Sequence, residues 1–174
     1  MMCQDNDFCE NASVFYGSDF LSEFNVNELA MELGYDEPVY NRSVKGLTVE
    51  EASKTGYKNI VPLNPAKIFL NFGDTELAPN GTSVYDFADK YEWLLYALHQ
   101  NTNARLYVLS VADDVKKAVD FNTVLKKLCS ETHCDFIDIS SAVKSSLPYK
   151  TLFNILRPKM RSKSVMFAEA MSLR

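Results

Sequence analysis

Short apolar runs alternate along the chain with segments whose apolar positions recur at helical spacing. Residues 12–16, Ala-Ser-Val-Phe-Tyr, read as a buried strand stopped by Gly17. Phe20, Leu21, Phe24, Leu29 and Leu33 then fall at roughly helical spacing before Gly34, which predicts a helix over 20–33. Residues 38–42 form a weaker strand, because only Val39 and Tyr40 carry β-propensity. A short helix over 48–54 follows, with Thr48 and Glu51 at capping-box spacing. Residues 67–72, Lys-Ile-Phe-Leu-Asn-Phe between Pro65 and Gly73, are the strongest strand in the chain. Residues 83–100 predict a long helix that turns Tyr85, Ala88, Tyr91, Trp93, Leu94, Leu95 and Leu98 toward the core. A strand over 105–111, a helix over 115–133 with Val119, Val124, Leu125 and Leu128 inward, and a strand over 135–139 come next. A closing helix is expected over 162–173.

Strand and helix alternating in this way imply a parallel sheet covered on both faces. The expected fold class is α/β, a three-layer α/β/α sandwich on a mostly parallel five-stranded sheet. Residues 1–11 read as a polar tail and 12–174 as one domain. In open sheets of this kind the ligand crevice lies beyond the carboxyl ends of the strands. Chemistry is therefore sought at 17–22, 41–48, 73–80 and 111–116.

Composition narrows the classes without choosing a function. A net charge of -5 argues against nucleic acid and anionic membranes as partners. No apolar run is long enough to span a bilayer. Residues 1–10 lack the basic and apolar parts of a secretory signal, so a cytoplasmic location is expected, with secretion left open for a leader outside this sequence. Cys3, Cys9, Cys129 and Cys134 are expected as reduced thiols. Cys129, His133 and Cys134 lack a fourth ligand and common zinc spacing, so neither a metal nor a cofactor is expected. The basic residues Lys144, Lys150, Lys159, Arg161 and Lys163 read as a solvated face.

The segments at the strand ends, taken in order, resemble the sequence blocks of SGNH/GDSL ester hydrolases. The run Val14-Phe15-Tyr16-Gly17-Ser18-Asp19-Phe20-Leu21 is similar to the strand that leads into Gly-Asp-Ser, with the last two residues reversed. Asp19 then occupies the nucleophile's place. Asn41-Arg42-Ser43-Val44-Lys45-Gly46-Leu47-Thr48 resembles Asn-x-Gly-x-x-Gly-x-Thr, in which the residue matched by Gly46 gives a backbone N–H to the oxyanion hole. Gly73-Asp74-Thr75-Glu76 resembles Gly-x-Asn-Asp, with Thr75 where the oxyanion Asn belongs. The last block, Asp-x-x-His-Pro just before the final helix, is matched to Asn154-Ile155-Leu156-Arg157-Pro158. Arg157 then stands for the base and Asn154 for its carboxylate.

The resemblance implies a flavodoxin-like SGNH-hydrolase fold and a site at Gly17, Ser18, Asp19, Gly46, Gly73, Thr75, Asn154 and Arg157. Arg is not a base at neutral pH and a carboxylate attacks esters poorly, so the expectation is a catalytically impaired protein binding a ligand or partner in the inherited crevice. Asp19 and Arg157 are expected to pair. Acyl, acetyl or carbohydrate esters are the ligand classes the resemblance implies. Two alternatives stand beside this one: a weak serine esterase using Ser18, and an interaction subunit with a vestigial crevice. Oligomeric state is not legible.

Overall fold

The computed structural model describes residues 11–78, 81–113, 116–162 and 170–173. The tail at 1–10 and most of the closing helix at 162–173 lie outside the described residues. Five strands form one parallel sheet: β1 (Ser13–Gly17), β2 (Val39–Asn41), β3 (Lys67–Asn71), β4 (Arg105–Leu109) and β5 (Asp135–Ile137). Their order is β2-β1-β3-β4-β5. Every pairing is parallel, with Phe15 beside Phe69 and Phe69 beside Tyr107.

The side-chain period of two sorts each central strand between two cores. Val14, Tyr16, Ile68, Leu70, Leu106 and Val108 face α3 (Val49–Lys54), α4 (Val84–Asn101) and α5 (Lys116–Thr132). Phe15, Phe69, Tyr107 and Leu109 face α1 (Asp19–Ser22), α2 (Val26–Glu32), α6 (Ser140–Val143) and α7 (Pro148–Met160). On that second face Phe15, Phe69 and Tyr107 stack in register, with ring centroids 5.0 and 4.7 Å apart. The three-layer α/β/α architecture expected from the alternation is the one observed. No helix among the described residues is long and apolar enough to cross a membrane.

Three details differ from the pattern-based expectation. The helix expected over 20–33 is two, α1 and α2, broken where Asn41 Nδ2 donates to the carbonyls of Leu21 and Phe24 at 2.7 and 2.9 Å. On α4 the buried face is Phe87, Tyr91, Leu94, Leu95 and Leu98. Tyr85 and Trp93, expected inward, are 86% and 60% exposed. On α5 it is Ala118, Phe121, Leu125, Leu128 and Cys129 that turn inward, while Val119 faces solvent. The capping box at Thr48 and Glu51 is present, with both of its reciprocal bonds made.

The carboxyl edge of the sheet is held by a buried polar seam. Ser18 N donates to Asn71 O at 3.0 Å, and Asn71 Nδ2 donates to Ser110 O at 2.8 Å. Ile139 N then donates to Ser110 Oγ at 2.9 Å, which carries the seam to the segment after β5. Truncating a buried hydrogen-bonding side chain leaves its partner desolvated and unpaired, at a cost of about 1–3 kcal/mol. Asn71→Ala is expected to lower unfolding stability by about that amount, read as a shift of the denaturant midpoint with an unchanged slope.

Candidate functional site

The connections leaving β1 and β2 pass to opposite faces of the sheet, so the topological switch point lies between β1 and β3. A crevice is expected beyond their carboxyl ends. At Gly17 a side chain would run into the Asn71 carbonyl, so β1 can approach β3 this closely only with glycine. Ser18, fully buried, begins α1, and its Oγ lies 2.5 Å from Thr75 Oγ1. The next residue points elsewhere. Asp19 Oδ1 accepts from Gly46 N at 2.6 Å. Gly46 has φ 75°, a left-handed turn that suits glycine and turns its N–H toward Asp19.

The loop after β3 joins this cluster. Gly73 has φ 125°, and a Cβ there would meet the Val111 side chain at 2.7 Å. Asp74 Oδ2 accepts from Phe20 N at 2.8 Å, supplying the start of α1 with an acceptor, and Asp74 Oδ1 accepts from Thr75 N at 3.1 Å. Glu76 Oε1 accepts from Val49 N at 2.6 Å at the start of α3. Its Oε2 is buried without a partner among the described residues. Asp74 and Glu76 were outside the expected site set. Their signal was the Gly-x-x-x block itself, whose every residue after Gly73 turns out to be engaged.

Six of the expected residues therefore meet: Gly17, Ser18, Asp19, Gly46, Gly73 and Thr75. Asn154 and Arg157 do not join them. They lie inside α7, which runs away from the crevice. Near its start Tyr149 Oη donates to Phe20 O at 2.9 Å, beside the crevice. At its end Met160 O accepts from Lys67 Nζ, at the opposite edge where β3 begins. Eight residues of helix, about 12 Å, separate Arg157 from Tyr149, and Asn154 is exposed. The expected Asp19–Arg157 pair is not among the ion pairs of the described residues, and Asp19 is held by Gly46 instead.

The segment that does precede α7 is Lys144-Ser145-Ser146-Leu147-Pro148, with Pro148 in the helix's first turn. An Asp-x-x-His-Pro spacing just before the helix falls here, placing Lys144 at the acid and Leu147 at the imidazole. Leu147 is 61% exposed. The dipeptide Arg157-Pro158 lies inside the helix rather than before it, because Pro158 is tolerated there. Both histidines of the sequence lie at the amino edge. His99 closes α4, with Nε2 3.5 Å from Cys134 Sγ, and His133 immediately precedes Cys134 in a left-handed turn at φ 56°. His99, not His133, is thus the imidazole beside Cys134. Cys129 and Cys134 are free thiols, and the described residues hold no cluster of three side chains suited to a metal.

Burial shapes the acid chemistry of the crevice. Desolvation pushes the carboxyls of Asp74 and Glu76 above their ordinary values, and their backbone hydrogen bonds oppose it only in part. A group whose folded-state pKa is raised contributes its stability below its unfolded value, and that contribution is lost as pH rises through the folded value. Glu76→Gln keeps an acceptor for Val49 N and removes the ionisation. The variant is expected to melt about 2–4 °C above the parent at pH 7. The gap should close as pH falls below the ordinary carboxylate range, read by thermal denaturation across pH.

Neither a family model nor a curated protein matches the chain. Solved structures do. A lipase/acylhydrolase from Enterococcus faecalis aligns with 86% of this chain and 94% of its own, at 15% identity and a TM-score of 0.71. A GDSL-like lipase from Bacteroides thetaiotaomicron aligns with 91% of each chain at 11% identity and a TM-score of 0.71. A psychrotrophic esterase from Pseudoalteromonas sp. aligns with 88% of this chain and all of its own (100%), at 10% identity and a TM-score of 0.72. With five parallel strands in the order β2-β1-β3-β4-β5 between two helical layers, the fold of this chain is that of the SGNH/GDSL hydrolases.

Proposed function

We propose that this chain is a ligand- or partner-binding relative of the ester hydrolases, without their serine-hydrolase step. One observation carries the reading: the Asp19 carboxylate rests on the Gly46 N–H at 2.6 Å. The resemblance assigns that N–H to the developing oxyanion of an ester undergoing attack. A fixed carboxylate there fills the donor and places negative charge where the transition state would develop its own. Acyl transfer also needs a base within hydrogen-bond reach of the nucleophile. Both imidazoles lie at the far edge of the sheet, and Leu147 stands at the corresponding position before α7. The ligand classes are those the resemblance implies, acyl, acetyl or carbohydrate esters, and the crevice binds such a group without cleaving it.

Ser18 is the remaining hydroxyl and would carry the alternative of a weak esterase. It is fully buried and shares a hydrogen bond with Thr75, a hydroxyl that does not serve as a base at neutral pH. Incubation with p-nitrophenyl acetate and butyrate is expected to give no turnover above background. A fluorophosphonate probe is expected to leave the chain unlabelled, as read by intact mass. Covalent labelling at Ser18 that disappears in Ser18→Ala would overturn the reading.

A further inference from the structure

A second concave site opens beyond the carboxyl ends of β4 and β5, between α5 and α6, on the other side of β3 from Ser18 and Asp19. Its volume is about 560 Å³, within the range of small-molecule sites. Its polar lining includes Ser110, Asn122, Lys126, Asp138, Ser140 and Lys144. Val111, Val119 and Phe136 add apolar wall. Ser110 belongs to the seam along the carboxyl edge, so the floor of the cleft is fixed by buried hydrogen bonds.

The hydrogen-bonding groups of this cleft do not balance. Two of its side-chain acceptors, Asp138 Oδ1 and Asn122 Oδ1, are engaged by protein donors. Asp138 Oδ1 accepts from Ser140 N at 2.8 Å and faces Ser110 Oγ at 3.5 Å. The Ser140 N–H and hydroxyl hold the Asp138 carboxyl below the usual range, so it is ionised and occupied by its own loop. Asp113, at the rim, is engaged as well. Asn122 Oδ1 accepts from Val111 N at 2.7 Å, which commits the oxygen of that amide and leaves its two N–H groups. The donors are less fully committed: Lys126 helps hold the Asp138 carboxyl low without forming an ion pair with it. Lys126 Nζ sits 5.4 Å over the Phe136 ring. Neither Lys126 nor Lys144 enters an ion pair among the described residues.

We propose that this cleft binds a small organic oxyanion, a carboxylate or phosphate ester group carried on a compact apolar body. Lys126, Lys144 and the Asn122 amide receive the oxyanion, and Val111, Val119 and Phe136 cover the body. Formal charges of the two lysines and two aspartates cancel. Selection for an anion comes from the hydrogen-bonding groups, since Asp138 Oδ1 and Asn122 Oδ1 already accept from protein donors while the two ammonium groups enter no ion pair among the described residues. The site is separate from the crevice and does not depend on whether Ser18 reacts.

Titration calorimetry on the full chain tests it with three probes: hexanoate, phenyl phosphate and the uncharged hexanamide. Hexanoate or phenyl phosphate is expected to bind with a millimolar or lower dissociation constant, and which of the two does so identifies the oxyanion. Hexanamide should bind at least about tenfold more weakly. Lys126→Gln with Lys144→Gln, both exposed and so expected to leave the melting temperature unchanged, should weaken the charged probe at least about tenfold. Amide resonances of Ser110, Asn122 and Ser140 should move on binding. The proposal is overturned if hexanamide binds as well as the anions, if the double variant binds unchanged, or if neither anion binds. It is also overturned if the shifted resonances are those of Ser18, Gly46 and Thr75, which would put the anion in the crevice. Ester turnover is read with different probes, so either result can fail without the other.

Discussion

The structure depends on a polar seam in a dry place. Asn71, 1% exposed, joins β1 to β3 through its carbonyl and β3 to β4 through its side chain. Ser110 continues the line to the segment after β5. In a low-dielectric interior each of these bonds is strong when made and costly when broken, so the four strand ends are fixed relative to one another. Both sites hang from this line. The cluster of Ser18, Asp19 and Thr75 lies at one end, and the cleft over Ser110 and Asp138 lies at the other. Gly17 is part of the same constraint, because the seam closes only where β1 carries no side chain.

The elements legible in the sequence were those that a local pattern specifies. β3 and β4 announce themselves because strands covered on both faces must be apolar at nearly every position. The capping box at Thr48 is a contact three residues long, and it formed as its spacing implied. What escaped was set by partners distant in sequence. The break between α1 and α2 is enforced by Asn41, about twenty residues away, which takes the carbonyls a continuous helix would have used. The face of α4 was misjudged because Tyr85 and Trp93 are as apolar as Phe87 and Tyr91. Only docking on Phe72 and Phe121 decides which pair is buried.

The crevice divides along the same line. Its glycines could be read, since Gly17, Gly46 and Gly73 answer to backbone geometry that few other residues satisfy. Its side chains could be listed but not paired. Asp19 and Arg157 were opposite charges at positions that a motif placed together, yet the helix carrying Arg157 points that residue's turn toward the other edge. Backbone requirements of a fold persist through wide sequence change, whereas side-chain chemistry can be replaced position by position. That is why the glycines of these loops are easier to read from the sequence than the pairing of their side chains.

The contact between Asp19 and Gly46 bears on evolutionary reversibility. An enzyme that stabilises an anion only in its transition state must keep donors idle in its resting form, which burdens the scaffold. Here the Asp19 carboxylate occupies the Gly46 N–H in the resting structure, and the contact ties the start of α1 to the loop after β2. Under the proposed function, Asp19→Ser would free that donor and forfeit the contact without bringing an imidazole beside it, since His99 and His133 lie at the other edge of the sheet. Gaining a hydrolytic step on this scaffold would then need two changes made together, one at position 19 and one that supplies a base, since neither alone completes the reacting set.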